Sequence, residues 1–279
     1  MIWKTRRHPI DLTRRGRIMG ILNTTPDSFS DGGHHLQLGA AMDHARLMIA
    51  QGAEIIDIGG ESTRPGAPAV STDEEIARTA PVIARLRAEW DGWISIDTSK
   101  ADVARAALEA GADIVNDVTG LTGDPEMPGI CVAGRCGVVV MHMQGDPRTM
   151  QEAPRYGNVV DDIRNFFHER YAHLTAAGLD PESICFDPGI GFGKTLAHNL
   201  ELLRSLDRLA AQNRPLMLGV SRKSFIGKLL GDGDLDSREW PTVALTSLGR
   251  EKGAMIHRVH AVKANEQALR MTEAILHGA

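Results

Sequence analysis

Residues 137–143 read Gly-Val-Val-Val-Met-His-Met, a run apolar on both faces until it meets His142. Successive strand side chains point to opposite faces, so a half-buried strand alternates, and this one does not. Strands buried on both sides belong to parallel sheets covered by helices. Further short runs of this kind, rich in Ile and Val, lie at residues 17–23, 53–60, 93–99, 114–120, 184–190, 216–221 and 255–261. Helical patterns separate them. Thr72-Asp73-Glu74-Glu75 looks like a capping box opening a helix that runs to Glu89, and Ser99-Lys100-Ala101-Asp102 opens the next by the same logic. Leu202, Leu206 and Leu209 recur at helical spacing after Asn199, as do Ala268, Met271 and Ile275 in the last helix. Eight strands alternating with helices predict an α/β fold of the (β/α)8 TIM barrel class. An open doubly wound sheet would show fewer strands and a G-x-G-x-x-G turn after the first, which the sequence lacks. With no boundary signal, residues 1–279 read as a single domain, residues 1–16 being an N-terminal extension.

Composition narrows the function. Lys+Arg 31 against Asp+Glu 36 gives a net charge of −5, without the basic excess of a nucleic-acid binder. The 3 cysteines (Cys131, Cys136 and Cys185) have no metal spacing and read as reduced, buried thiols. The basic segment before Ile18 is followed by an apolar run too short for a signal peptide, and no window approaches the roughly 18 apolar residues of a membrane span. A soluble, cytoplasmic protein is expected.

Nearly every apolar run ends in a polar residue: Asn23, then Asp57 leading into Glu61, then Asp97, Asn116 with Asp117, His142, Asp187, Ser221-Arg222-Lys223, and Arg258 with His260. One buried polar residue is usually a satisfied core group, but so many at one end of a barrel need a ligand or a wet mouth to receive them. That end is where barrel enzymes place their chemistry. The long segments 24–39, 61–71 and 144–158 follow strand ends on this face and suit lids. Asp97, Asn116 and Asp187 suit a ring edge presenting N–H and NH2 groups, an acid/base pair, or a magnesium site. Arg258 and His260, two apart on a strand, make an anion clamp. Residues 187–195, Asp-Pro-Gly-Ile-Gly-Phe-Gly-Lys-Thr, invite a P-loop reading that fails because Pro188 stands where the pattern needs Gly. They read instead as a glycine-rich turn against a flat ligand. Residues 221–224 open a helix whose amides suit a carboxylate or phosphate. His34 and His35 read as loop residues and His142 as a wall residue, since no metal-site spacing accompanies them; Arg164, Glu169 and Arg170 read as a solvated helix face.

Together these motifs resemble the dihydropteroate synthase family over most of the chain, from Ile18 to Leu276. The resemblance rests on residues 20–33 (Gly-Ile-Leu-Asn-Thr-Thr-Pro-Asp-Ser-Phe-Ser-Asp-Gly-Gly), 57–66 (Asp-Ile-Gly-Gly-Glu-Ser-Thr-Arg-Pro-Gly), 95–98, 116–118, 187–194, 221–224 and 258–260. It implies a homodimeric barrel that joins 6-hydroxymethyl-7,8-dihydropterin diphosphate to 4-aminobenzoate. The mechanism it implies is dissociative, with diphosphate departing first and the arylamine attacking the resulting cation. The resemblance implies that Asp97, Asn116, Asp187 and Lys223 hold the pterin. It assigns Asn23, Thr63, Arg258 and His260 to the diphosphate, with Mg²⁺ at Asn23. By the same resemblance Phe29, Thr63, Arg64, Pro65, Phe192, Lys223 and Ser224 are expected to shape the pocket for aminobenzoate, the substrate that sulfonamides mimic in the family. The resemblance also implies that Asp31 joins Lys223, Arg258 and His260 in the closed catalytic site. Ala261 stands where the family commonly has an acidic residue, which bears on the support of His260 rather than on the clamp. A pterin-dependent methyltransferase would share the barrel without needing the Arg-x-His clamp. A non-catalytic pterin-binding protein would keep the pocket without turnover.

Overall fold

A computed structural model describes residues 1–24, 34–62, 68–145, 149–231 and 233–278, with the backbone alone for 34–37. Eight parallel strands form the sheet: β3 (Arg17–Asn23), β4 (Ile55–Gly59), β5 (Trp93–Asp97), β6 (Ile114–Asp117), β7 (Gly137–Met141), β8 (Ile184–Asp187), β9 (Met217–Leu218) and β10 (Ile256–Val259). Their order is β8-β7-β6-β5-β4-β3-β10-β9, and a parallel bridge from Phe186 to Leu216 brings β8 back to β9. The predicted barrel is therefore present. The helices α1 (His34–Ala50), α2 (Thr72–Glu89), α3 (Ala101–Ala110), α4 (Met127–Gly134), α5 (Val159–Ala176), α6 (Leu196–Arg204), α7 (Ser224–Leu230), α8 (Glu239–Glu251) and α9 (Val262–His277) surround it.

Strand period explains the core. Adjacent residues divide between two apolar clusters. Met19, Ile55, Ile114, Val139, Cys185, Met217 and Ile256 fill the barrel interior, while their neighbours Ile18, Ile56, Val115, Val138, Ile184 and Leu218 pack outward against the helices. Both faces are dry, which is why the runs do not alternate.

The N-terminal extension is part of this core. An antiparallel hairpin, β1 (Ile2–Trp3) with β2 (Ile10–Asp11), closes the floor of the barrel. Trp3, Ile10 and Leu12 join the interior cluster, and the Trp3 indole donates to the Ser183 carbonyl at 2.7 Å. All three cysteines are free and buried, as expected.

Several local expectations shift. Ser71, not Thr72, caps α2, accepting from the Glu74 amide at 3.3 Å. No side chain of residues 99–102 caps α3; the Asp124 carboxylate takes the Ala101 amide at 2.9 Å. Helix α6 stops at Arg204, and Leu206 falls in a separate 3-10 turn, Leu206–Arg208. In α9 the buried face carries Val262, Asn265 and Leu269, leaving Met271 and Ile275 64% and 74% exposed. His34 and His35 open α1 rather than lying in a loop. Arg170 is not a solvated residue: its guanidinium donates to the Gly120 and Leu121 carbonyls at 3.0 and 3.1 Å, tying α5 to the turn after β6.

Candidate active site

The alternation that fills the barrel also builds its mouth. Two residues beyond each interior apolar side chain, the same inward face comes up again at the strand's C-terminal end. Met19 leads by this count through Ile21 to Asn23, Ile55 leads to Asp57, Ile114 to Asn116, Cys185 to Asp187 and Ile256 to Arg258. Trp93 leads through Ser95 to Asp97. Position 219, two beyond Met217, is glycine; a Cβ there would start 3.5 Å from Asp187 Oδ2 and narrow the mouth. Apolar layers below and polar ends above are thus one pattern.

The polar ends are wired together. Arg258 donates from Nε to Asp57 Oδ2 and from Nη2 to Asp97 Oδ2, both at 2.6 Å. Asn116 donates from Nδ2 to the same Asp57 oxygen at 3.0 Å. Burial opposes the charge on Arg258, but Asp57 and Asp97 outweigh it and raise its pKa above the ordinary value. Burial pushes Asp97 up to about 7 against the pull of Arg258. Asp187 is also raised by burial, opposed by Lys223 and by the Gly189 amide, which donates to it at 2.7 Å. Lys223 is pushed down by burial to about 8, with Asp187 opposing.

Residues 189–193 form the predicted glycine-rich turn. Gly189 has φ +64° and lies so close to the end of β7 that a Cβ would fall 1.9 Å from the His142 carbonyl oxygen, so no other residue fits. Side chains hold the turn all along: Asn199 accepts from the Gly191 amide at 2.7 Å, Tyr156 donates to Gly193 O at 2.8 Å, and Lys223 donates to Ile190 O. The Lys223 ammonium also stands 4.5 Å from the centre of the Phe192 ring. Lys194, the lysine of the failed P-loop pattern, is buried and donates to Phe192 O at 2.9 Å, with the His142 Nδ1 contact at 3.1 Å. Burial and then the Lys194 charge push His142 down to about 3, so it is a neutral wall residue, as expected.

His260 finds its support in an unexpected place. Its Nδ1 lies 2.9 Å from Oγ of Ser221, three residues beyond β9, so Ala261 leaves the ring oriented. Lys223 is the N-cap of α7 and Ser224 its first residue, as the sequence implies. Asp117 faces away from the mouth and is structural, accepting from the Thr119 and Leu121 amides at 2.8 and 3.1 Å. Asn23, Asp97, Asn116, Asp187, Phe192, Lys223, Ser224, Arg258 and His260 all lie at or just beyond the C-terminal ends of the strands. Phe29, Asp31, Thr63, Arg64 and Pro65 lie outside the described residues. The base of the second long segment is tied by Lys100, which pairs with Glu61 at 2.7 Å and Glu75 at 2.5 Å.

A cavity of about 1100 Å³ lies elsewhere, lined by Thr5, Arg6, Cys131, Cys136 and Asp180 near the barrel floor. Its lysine, Lys4, is already paired with Asp180 and Glu182 at 3.0 and 2.8 Å. The mouth, with its convergent charges and shifted proton affinities, is the stronger candidate for chemistry. Among the described residues no group of three or more His, Cys, Asp or Glu side chains is placed to hold a metal ion, and no helix is long and apolar enough to cross a membrane.

A barrel whose mouth combines buried carboxylates, an amide, a lysine and an anchored arginine is that of an enzyme for a small polar substrate with an anionic end. Comparison with known proteins makes this specific. The profile of the pterin binding enzyme family matches residues 19–260. The dihydropteroate synthase of Synechocystis sp. is 48% identical over 265 residues, covering 95% of this chain and 92% of that protein. Among solved structures, the Yersinia pestis dihydropteroate synthase with a sulfonamide drug aligns with TM-score 0.92 at 43% identity, covering 99% of both chains. The Xanthomonas albilineans dihydropteroate synthase in complex with 7,8-dihydropteroate aligns with TM-score 0.90 at 39% identity, also over 99% of both. The chain belongs to the pterin binding enzymes and, within them, to the dihydropteroate synthases.

Proposed function

We propose that the barrel mouth is the site of dihydropteroate synthesis and that its residues divide the substrates between them as follows. Asp97, Asn116, Asp187 and Lys223 take the pterin. Arg258 and His260, with Asn23 and Thr63, take the diphosphate. Phe192, Lys223 and Ser224, with Phe29, Thr63, Arg64 and Pro65 from the long segments, form the aminobenzoate pocket, and Asp31 completes the closed site. One observation carries the reading: Asp57 ties Asn116, at the pterin end, to Arg258, at the diphosphate end, so both ends belong to one site.

The chain's own groups fit the reaction. Carboxylates accept and cannot donate, so Asp97 and Asp187 suit ring N–H and NH2 groups. The same negative charge stabilises a cation at the pterin methylene after the C–O bond breaks. Arg258 and His260 donate to the departing diphosphate as charge builds on it. Phe192 and the ends of the long segments exclude water, which would otherwise capture the cation. The weakly basic arylamine needs positioning more than activation. The donor set also fits Mg²⁺ delivered with the substrate: Asn23, at the end of β3, offers one neutral oxygen, as suits an ion held chiefly by phosphate and water. When bound, the ion would neutralise charge on the leaving group.

Cytoplasmic location and a homodimer complete the proposal. The dimer is supported by large apolar side chains exposed on α7 and α8 and between them, Leu229, Leu230, Leu235 and the 77%-exposed Trp240.

The pH profile tests the pterin site. Asp97 must be ionised to accept from the ring, and its proton leaves near pH 7; Lys223 must keep its proton, which leaves near pH 8. Thus kcat/KM for the pterin diphosphate should rise through about pH 7 and fall through about pH 8. Asp97→Asn should remove the acid limb. A flat profile from roughly pH 6 to 9 would take both groups out of the site.

A further inference from the structure

Asp57 has no ligand in the division above, yet its carboxylate is the hub of the site. It is fully buried at the inward position of β4, paired in register with Ser95 and therefore two residues below the Gly59–Asp97 pair at the mouth. Its Oδ2 accepts from Arg258 Nε at 2.6 Å and from Asn116 Nδ2 at 3.0 Å, while Oδ1 is buried with no hydrogen-bond partner among the described residues. Arg258 and Asn116 come from β10 and β6, on opposite sides of β4 in the sheet order.

We infer that Asp57 is a positioning residue that sets the orientation of Asn116 and Arg258 together, and so aligns the pterin and diphosphate halves of the substrate in one register. The inference rests on the site division proposed above.

The physical reason lies in what a carboxylate can do. It only accepts, so it draws the NH2 end of the Asn116 amide and leaves the amide oxygen for the ligand. A neutral partner at position 57 would allow either amide orientation. A guanidinium is a planar fork, and holding Nε fixes the plane in which its terminal nitrogens lie. Of Arg258's two carboxylate partners, Asp57 is fully buried and Asp97 is partly exposed at the mouth. Ring donors that engage Asp97 compete for the Nη2 contact, while Nε keeps its buried partner. Arg258 therefore stays in place and frees a donor for the anion. Because one oxygen serves both side chains, a change at Asp57 disturbs both halves of the substrate. Asp57 touches no substrate itself.

The test uses two half-ligands by calorimetry: 6-hydroxymethylpterin, and inorganic diphosphate with Mg²⁺. In Asp57→Asn both affinities should fall about ten-fold or more, as expected for loss of hydrogen bonds to a charged group, while the KM for 4-aminobenzoate stays within about two-fold. Loss of only one half-ligand's affinity, or of neither, in folded variant protein overturns the inference. If the wild-type enzyme binds neither probe, the site division itself fails, and the inference with it. A second measurement does not depend on the fold of Asp57→Asn. With ¹⁵N-arginine label and assignment by Arg258→Lys, the Arg258 Nε–H of the wild-type protein should stay protected from solvent exchange when 6-hydroxymethylpterin binds. Loss of that protection overturns the anchor.

Discussion

Arg258→Ala is expected to cost about 10²- to 10³-fold in kcat/KM, the range for removing one well-placed donor to developing negative charge. It should also cost stability. Asp57 is fully buried and its Oδ2 would keep only the Asn116 amide, while Asp97 would lose its cation at the mouth. Breaking a buried pair by removing one partner typically costs about 3–5 kcal/mol, because the charge left behind has neither water nor counter-ion. Arg258→Lys should recover part of the stability and little of the activity, since a single ammonium cannot reach Asp57 and Asp97 while offering a fork to the anion. Urea unfolding and steady-state kinetics on the two variants check this. Native-like unfolding of Arg258→Ala would mean that Asp57 is neutralised in some other way.

Lys223→Ala should have an effect of similar size, about 10²-fold or more in kcat/KM, by a different route. The ammonium does three things at once. It lies within the field of Asp187, it donates to the Ile190 carbonyl, and it stands over the Phe192 ring. Its loss leaves the buried Asp187 short of a cation and loosens the turn carrying Phe192. Pterin affinity should fall and the KM for 4-aminobenzoate should rise together, whereas Asp57→Asn should leave the latter near its wild-type value. Calorimetry with 6-hydroxymethylpterin and a 4-aminobenzoate titration separate the two effects. Near-native turnover by Lys223→Ala would remove Lys223 from the pterin site.

The barrel and its mouth were legible because both follow from local, periodic information. A strand buried on two faces shows itself as an unbroken apolar run, and its last inward residue announces the mouth. Features that depend on distant chain segments were not legible. Asp57 stood out as a charge in a strand, but its partner Arg258 lies 201 residues away, and no local pattern encodes that register. The same holds for Lys194 against His142, and for Ser221, which supports His260 where Ala261 cannot. The hairpin that plugs the floor was missed because each of its strands has only two residues, too few to show alternation. The last helix misled in another way: Met271 and Ile275 fit a helical period yet face outward, because Leu269 and Asn265 hold the inner face. Period marks an apolar stripe without saying what covers it.

The most direct measurement follows diphosphate release from 6-hydroxymethyl-7,8-dihydropterin diphosphate, with and without 4-aminobenzoate, in Mg²⁺ and again after chelation. Release matched one for one by 7,8-dihydropteroate, and strongly slowed by chelation, is the expected result. Pterin binding with no diphosphate release under any condition would contradict the division of the mouth into a pterin end and a diphosphate end.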